Sequence, residues 1–183
     1  APEEVERFAA AYQENADSAI GETVARLLAS ERFGERWGRH WLDVAGYADS
    51  NGGSDADSVR DWTWRFRDYV IRSFNADKPF NQFVREQLAG DELLEGPPRT
   101  SEEQDWLIAS GYLRLGPQDN SAALFNEQSR ARSEWLADLT ETTGSAFLGL
   151  TLSCCRCHDH KFDPPSQADH CRLRSFFQPV RYG

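Results

Sequence analysis

Apolar positions along this chain recur mostly every three or four residues, the spacing of one face of an α-helix. From Pro2 to Ser30 the pattern runs through Val5, Phe8, Ala9 and Tyr12, then Ile20, Val24, Leu27 and Leu28. Gly21 weakens the middle of that stretch. A new helix is predicted from Ser30, a good N-cap residue, with Phe33, Trp37, Trp41, Val44 and Ala45 on one stripe. The turn formers of "NGGSDADS" at 51–58 end it. "RDWTWRFRDYVIRSFN" is helical again through Trp62, Phe66, Tyr69, Val70 and Phe74. Pro79 then suits the first turn of a further helix carrying Phe80, Phe83, Val84, Gln87 and Leu88.

"EGPPRTS" breaks the chain before a short helix from Ser101 to near Gly111, and "RLGPQDNSA" is a second loop. A long helical pattern follows from Leu124 to about Gly149, with Trp135, Leu136, Leu139, Thr143 and Phe147. A last short helix carries Leu173, Phe176 and Phe177. No strand-like alternation is sustained anywhere. The pattern predicts an all-α fold, with residues 1–183 forming a single compact domain.

Composition refines this picture. Hydrophobic residues at 39% suffice for a core, and six Trp with eleven Phe make it rich in aromatics. No apolar run is long enough to span a bilayer. The net charge of −10 argues against nucleic acid or an anionic membrane as the main partner. The charge is uneven: Glu86 to Asp105 carries seven acids against Arg99 alone, whereas Arg60 to Arg85 carries six bases against three acids. The acidic start "APEEVERF" has neither the basic nor the apolar region of a signal peptide, and the chain has no Met. Both features lead us to expect a piece processed or excised from a longer protein.

The chemistry concentrates in "TLSCCRCHDHKFDP" at 151–164, which holds three of the four cysteines and two of the four histidines. Cys154, Cys157 and His158 form a C-x-x-C-H triplet. Two thiols at that spacing reach the two vinyl groups of one haem, and the following imidazole becomes the axial ligand of its iron. A structural zinc site is the competing reading, with Cys154, Cys157, His170 and Cys171 as four ligands. A Cys155–Cys171 disulfide is compatible with haem attachment, and such pairing belongs to an oxidising, extracytoplasmic compartment.

With haem c, the absence of Met excludes a His/Met iron. His40, bordering the apolar stripe of its helix, is then the best candidate for the sixth ligand. His170 is the reserve, and an open site is the third option. Arg156, and Arg65, Arg67 and Arg72 on the basic helix, are candidates to bind haem propionates. Trp37, Trp41 and Trp62 are candidate walls for the macrocycle. In "DHKFDP", Asp159 suits a carboxylate that orients an imidazole, and His160 with Asp163 suits a second cation; a tight turn explains the same residues more simply.

"ASERFGERWGRHWLDVAGYADSNG", "WRFRDYVIRSFNADKPFNQFVREQLAGDEL" and "FLGLTLSCCRCHDHKFDPPSQADHCRLRSFF" together resemble the cytochrome c-like domain of large secreted planctomycete proteins. This is the second of their cytochrome-like regions, a domain of unknown function. The resemblance covers roughly residues 20 to 180. In that family the cluster usually reads C-A-R-C-H-D-H-K-[FY]-D-P. The resemblance therefore carries over Cys154, Cys157 and His158 as the haem-attachment triplet, and Asp159, His160, Lys161 and Asp163 as parts of the motif. His40 falls in the family's R-H-W-L-D segment, which supports it as the distal ligand.

This chain departs from the family pattern at Cys155, where a small residue is usual, and at His170-Cys171, where aromatics are usual. The joint departure favours the Cys155–Cys171 disulfide, with zinc or an unattached haem as the alternatives. The resemblance implies a mono-haem domain for one-electron transfer in a periplasmic or secreted protein, more an electron-transfer module than a stand-alone enzyme. Its redox partner would be another protein or a domain of the same parent chain. A structural zinc module and an open-site haem domain with ligand-binding or peroxidase-like activity are the alternatives.

Overall fold

The structure is a computed structural model that describes residues 1–52 and 57–181. It is one all-helical domain, with eight α-helices among the described residues. Among the described residues the extended backbone is limited to an isolated antiparallel bridge between Ser50 and Val59. The helices are α1 (Pro2–Glu14), α2 (Ala16–Leu28), α3 (Arg32–Val44), α4 (Trp64–Asn75), α5 (Phe80–Ala89), α6 (Ser101–Ala109), α7 (Gln128–Leu148) and α8 (Gln167–Phe176).

The first predicted helical stretch is two helices. The break falls at Asn15, in extended backbone, whose side chain accepts from the Ser18 backbone N–H at 3.1 Å and so caps α2. Gly21 continues α2 into open space. The two helices form a hairpin that buries only Ala19 and leaves Val5, Phe8, Tyr12, Ile20, Val24, Leu27 and Leu28 exposed.

The predicted aromatic stripe of α3 also behaves differently. Its buried positions are Gly34 and Gly38, not the aromatics. A Cβ on Gly34 would lie 2.4 Å from the Ile71 carbonyl oxygen, so glycine is what allows α3 to press against α4. The Gly34 N–H donates to Asn75 Oδ1 at 2.7 Å, and the Asn75 amide donates onward to the Glu31 carbonyl at 2.9 Å. Phe33, Trp37 and Trp41 are thereby turned to the side of the contact, and Trp37 is 50% exposed.

The core is built from Phe66, Tyr69 and Val70 of α4, Phe83 of α5, Tyr112 and Leu113, and Trp135, Leu136 and Leu139 of α7, with Phe177 closing it. Trp41 reaches its edge, with its ring 5.0 Å from Phe83 and 5.2 Å from Phe147, and its Nε1 donates to Gln87 Oε1 at 2.9 Å. The long predicted helix begins four residues later than expected, at Gln128, because Ala122 to Asn126 are held in turns with Asn126 at φ 57°. It ends where predicted, on Gly149 in the left-handed region at φ 64°.

Candidate functional site

The cysteine cluster lies between α7 and α8, and Cys154–Arg156 form a short 3₁₀ turn that packs against α8. Leu152 anchors the approach: it is buried, and its side chain fills the space beside Gly144 of α7. Cys154, Cys157 and His158 are all exposed. The His158 Nδ1 lies 2.8 Å from the carbonyl oxygen of the adjacent Asp159. With Nδ1–H donating to that carbonyl, the lone pair is left on Nε2, which is how metal-bound imidazoles are usually oriented.

The rest of the motif is a lock on this turn. His160 Nδ1 accepts the backbone N–H of Asp163 at 2.7 Å and that of Phe162 at 3.2 Å. Its own backbone N–H donates to the Pro165 carbonyl at 3.1 Å. Asp159 accepts the backbone N–H of Gln167, the first residue of α8, at 2.8 Å. The Gln167 side-chain amide in turn donates to the carbonyls of Cys157 at 3.0 Å and Arg156 at 3.4 Å. Ser166 and Asp169 close a reciprocal capping box at the same helix end. Asp159, His160 and Asp163 therefore build the tight turn, and Gln167 is a site-holding residue that spacing alone did not single out.

Cys155 is fully buried and its thiol donates to the Pro165 carbonyl at 3.4 Å. Burial pushes the thiol pKa up, with the His160 backbone N–H pulling the other way. Cys171 is exposed, and all four cysteines are free. The expected Cys155–Cys171 disulfide is thus not made: Cys155 occupies the small-residue position of the motif as a buried hydrophobe.

The zinc set is not assembled either. His170 is 3% exposed against α7, whereas Cys154, Cys157 and Cys171 face solvent. Among the described residues no group of three or more His, Cys, Asp or Glu is placed to hold a metal ion. His170 instead faces Glu141 of α7, Nε2 to Oε1 3.7 Å, and neither atom has a hydrogen-bond partner among the described residues. Burial lowers the His170 pKa, reinforced by Arg174 and Arg156, and burial raises that of Glu141. One helical turn back, Asp138 is raised by burial and by the Glu141 charge.

The other predicted residues lie on two further surfaces. Trp37 and Trp41 line an open groove of about 500 Å³ with Phe33, Phe74, Phe80 and Lys78, and none of the triplet belongs to it. His40 is exposed on α3, its ring 5.5 Å from that of Trp37. Arg156 borders a polar cavity of about 690 Å³ beside Asp138 and Glu134. Of the basic-helix arginines, Arg67 is paired with Asp68 at 3.0 Å and Arg72 with Asp105. Arg65 instead lies over the rings of Trp62 and Trp64.

An all-helical domain whose surface turn presents Cys154, Cys157 and His158 belongs to the class of cytochrome-like domains. The chain belongs to the planctomycete family PSCyt2, described as a protein of unknown function (DUF1549), which it matches over residues 1–182. No curated protein and no solved structure was found to match it. Among the described residues no helix is long and apolar enough to cross a membrane.

Proposed function

We propose that this is a mono-haem c-type cytochrome domain serving one-electron transfer within a larger periplasmic or secreted redox protein. The observation that carries the reading is the triplet itself. Two exposed thiols at the attachment spacing stand beside an exposed imidazole whose Nδ1 is engaged by the Asp159 carbonyl, leaving Nε2 free. Such a haem would supply a one-electron couple at its iron. Cys154 and Cys157 would anchor it and His158 would be its axial ligand. Gln167 and Asp159 would keep that ligand's backbone from moving, which lowers the reorganisation demanded of an electron-transfer site. Arg156 is the nearest candidate in sequence for a propionate.

For the sixth position we retain His40, whose imidazole makes no hydrogen bond among the described residues. A second reading is favoured by the placement of its helix. α3 packs on α4 and α7, whereas the triplet's turn packs on α8. An open sixth position would permit ligand binding or peroxidase-like chemistry. The electron donor or acceptor in either case would be another protein or a domain of the parent chain.

Expression in a host with haem-attachment machinery tests the reading. The expected result is a coloured protein that keeps its haem after denaturation, with C154S/C157S losing it; a colourless wild-type protein overturns it. In the coloured protein, His40→Ala converts a low-spin spectrum to high-spin if His40 is the sixth ligand. A wild-type spectrum that is already high-spin establishes the open site.

A further inference from the structure

The basic stretch between Arg60 and Arg85 is not absorbed by the haem reading. Arg67 and Arg72 of this stretch are neutralised in ion pairs, but among the described residues Arg65 is not. Its guanidinium carbon sits 4.7 Å from the centroid of the Trp62 ring and 5.5 Å from that of Trp64. Such stacking holds a planar cation in place while leaving its N–H edge open. Across a cavity of about 480 Å³, which both side chains line, lies Arg114. Among the described residues neither Arg65 nor Arg114 has a carboxylate partner. Among the described residues Asp61 is the one carboxylate on the lining, and Phe66, Leu107 and Ile108 contribute apolar walls.

On a chain of net charge −10, two guanidiniums without a carboxylate partner among the described residues share one concave patch. The indole of Trp62 is 68% exposed there, and Trp64 and Leu107 are exposed beside it. Trp and Arg side chains dominate the binding energy of protein interfaces, whereas exposed apolar groups at a rim give a simple anion nothing to bind. The charge calls for carboxylates, and the exposed apolar side chains call for hydrophobic neighbours to those carboxylates.

We infer that the cavity between the start of α4 and the end of α6 is a docking site for an acidic, leucine-rich peptide segment of a partner protein. Arg65 and Arg114 receive its carboxylates, and Trp62 and Leu107 cover its apolar side chains. The site is separate from the CxxCH surface and stands whether or not haem is attached.

The test is a titration of the isotope-labelled protein, followed by NMR, with three probes. These are a capped peptide of alternating glutamate and leucine, the same peptide with glutamine for every glutamate, and free glutarate. The expected result is saturable binding of the acidic peptide that moves the Trp62 indole and Arg65 side-chain signals and weakens with salt. R65Q/R114Q should weaken it by roughly tenfold or more. R65K/R114K, which keeps charge but loses the planar fork, should fall between the two. Both side chains are exposed, and an unchanged wild-type-like amide spectrum of each variant verifies its fold. Four results overturn the inference: equal binding of the glutamine peptide, glutarate binding as tightly as the peptide, unchanged affinity in R65Q/R114Q, or self-association through these signals without peptide.

Discussion

His170 Nε2 and Glu141 Oε1 face each other at 3.7 Å between α8 and α7, both atoms buried and both without a hydrogen bond among the described residues. Burial works against charge on both partners: it lowers the histidine pKa and raises that of the carboxyl. Arg156 and Arg174 act on the histidine in the same sense, and Arg156 opposes the effect on Glu141.

This arrangement predicts how stability depends on pH. The folded His170 takes up its proton below the ordinary value of 6.5, so its contribution is complete above that pH. It is lost as pH falls, because the unfolded chain binds the proton first. Asp138 and Glu141 act in the other direction. Their folded pKa values are raised, so their contribution is present below their ordinary values of 3.8 and 4.5 and is lost as pH rises through the folded ones. Urea unfolding of His170→Leu should show a flatter stability profile than wild type as pH drops below 6.5. Asp138→Asn should be more stable than wild type at neutral pH, with the gain vanishing in acid.

The four cysteines should separate into two reactivity classes. Cys154, Cys157 and Cys171 are exposed, while Cys155 is buried with a raised pKa. The thiolate is the species that alkylates, so exposure and pKa act together. In the haem-free protein under reducing conditions, mass-resolved alkylation should give three fast additions and one slow one, and the slow site should be Cys155. Cys155→Ala should retain the fold and remove the slow phase alone.

The helical class and most helix ends were legible in the sequence because periodicity and punctuation report them directly. Pro79 at the start of α5 and Gly149 at the end of α7 are examples. The Asn15 break was not, since a residue that continues a polar face and one that caps the next helix look alike until the backbone turns. The aromatic stripe of α3 misled for a different reason. Burial there is decided by the partner, and Gly34 and Gly38 admit α4 where large side chains would be expected to pack. At the site, the triplet was legible by spacing. The Cys155–Cys171 pairing and the zinc set required knowing which side chains α8 turns inward, and spacing carries no such information.

His160 holds its turn through Nδ1, which accepts two backbone N–H groups. Removing it leaves those donors to water in a partly buried corner and frees the Asp159–Gln167 clasp from one side. His160→Ala should cost about 1–2 kcal/mol by the usual weight of such bonds. The loss should appear as faster amide exchange at Phe162 and Asp163 before global unfolding. If haem is carried on His158, the same variant should broaden the iron's spectral lines while leaving the haem attached.

A costly single change outside the site should fall at Lys78. Glu86 is 1% exposed, accepts the Tyr69 hydroxyl at 2.7 Å and the Gln82 amide at 2.8 Å, and forms its ion pair with Lys78. Lys78 also lies over the Tyr69 ring at 4.7 Å, so its charge is used twice in one corner of the core. Lys78→Met keeps the length and apolar body of the side chain but strands a buried carboxylate. Breaking one side of such a pair costs roughly 3–5 kcal/mol. Adding Glu86→Gln should restore much of that loss, because the amide is neutral and its oxygen still accepts a hydrogen bond. Denaturation of the single and double variants measures the coupling directly. A single variant as stable as wild type would show that the charge of Glu86 is not balanced by Lys78.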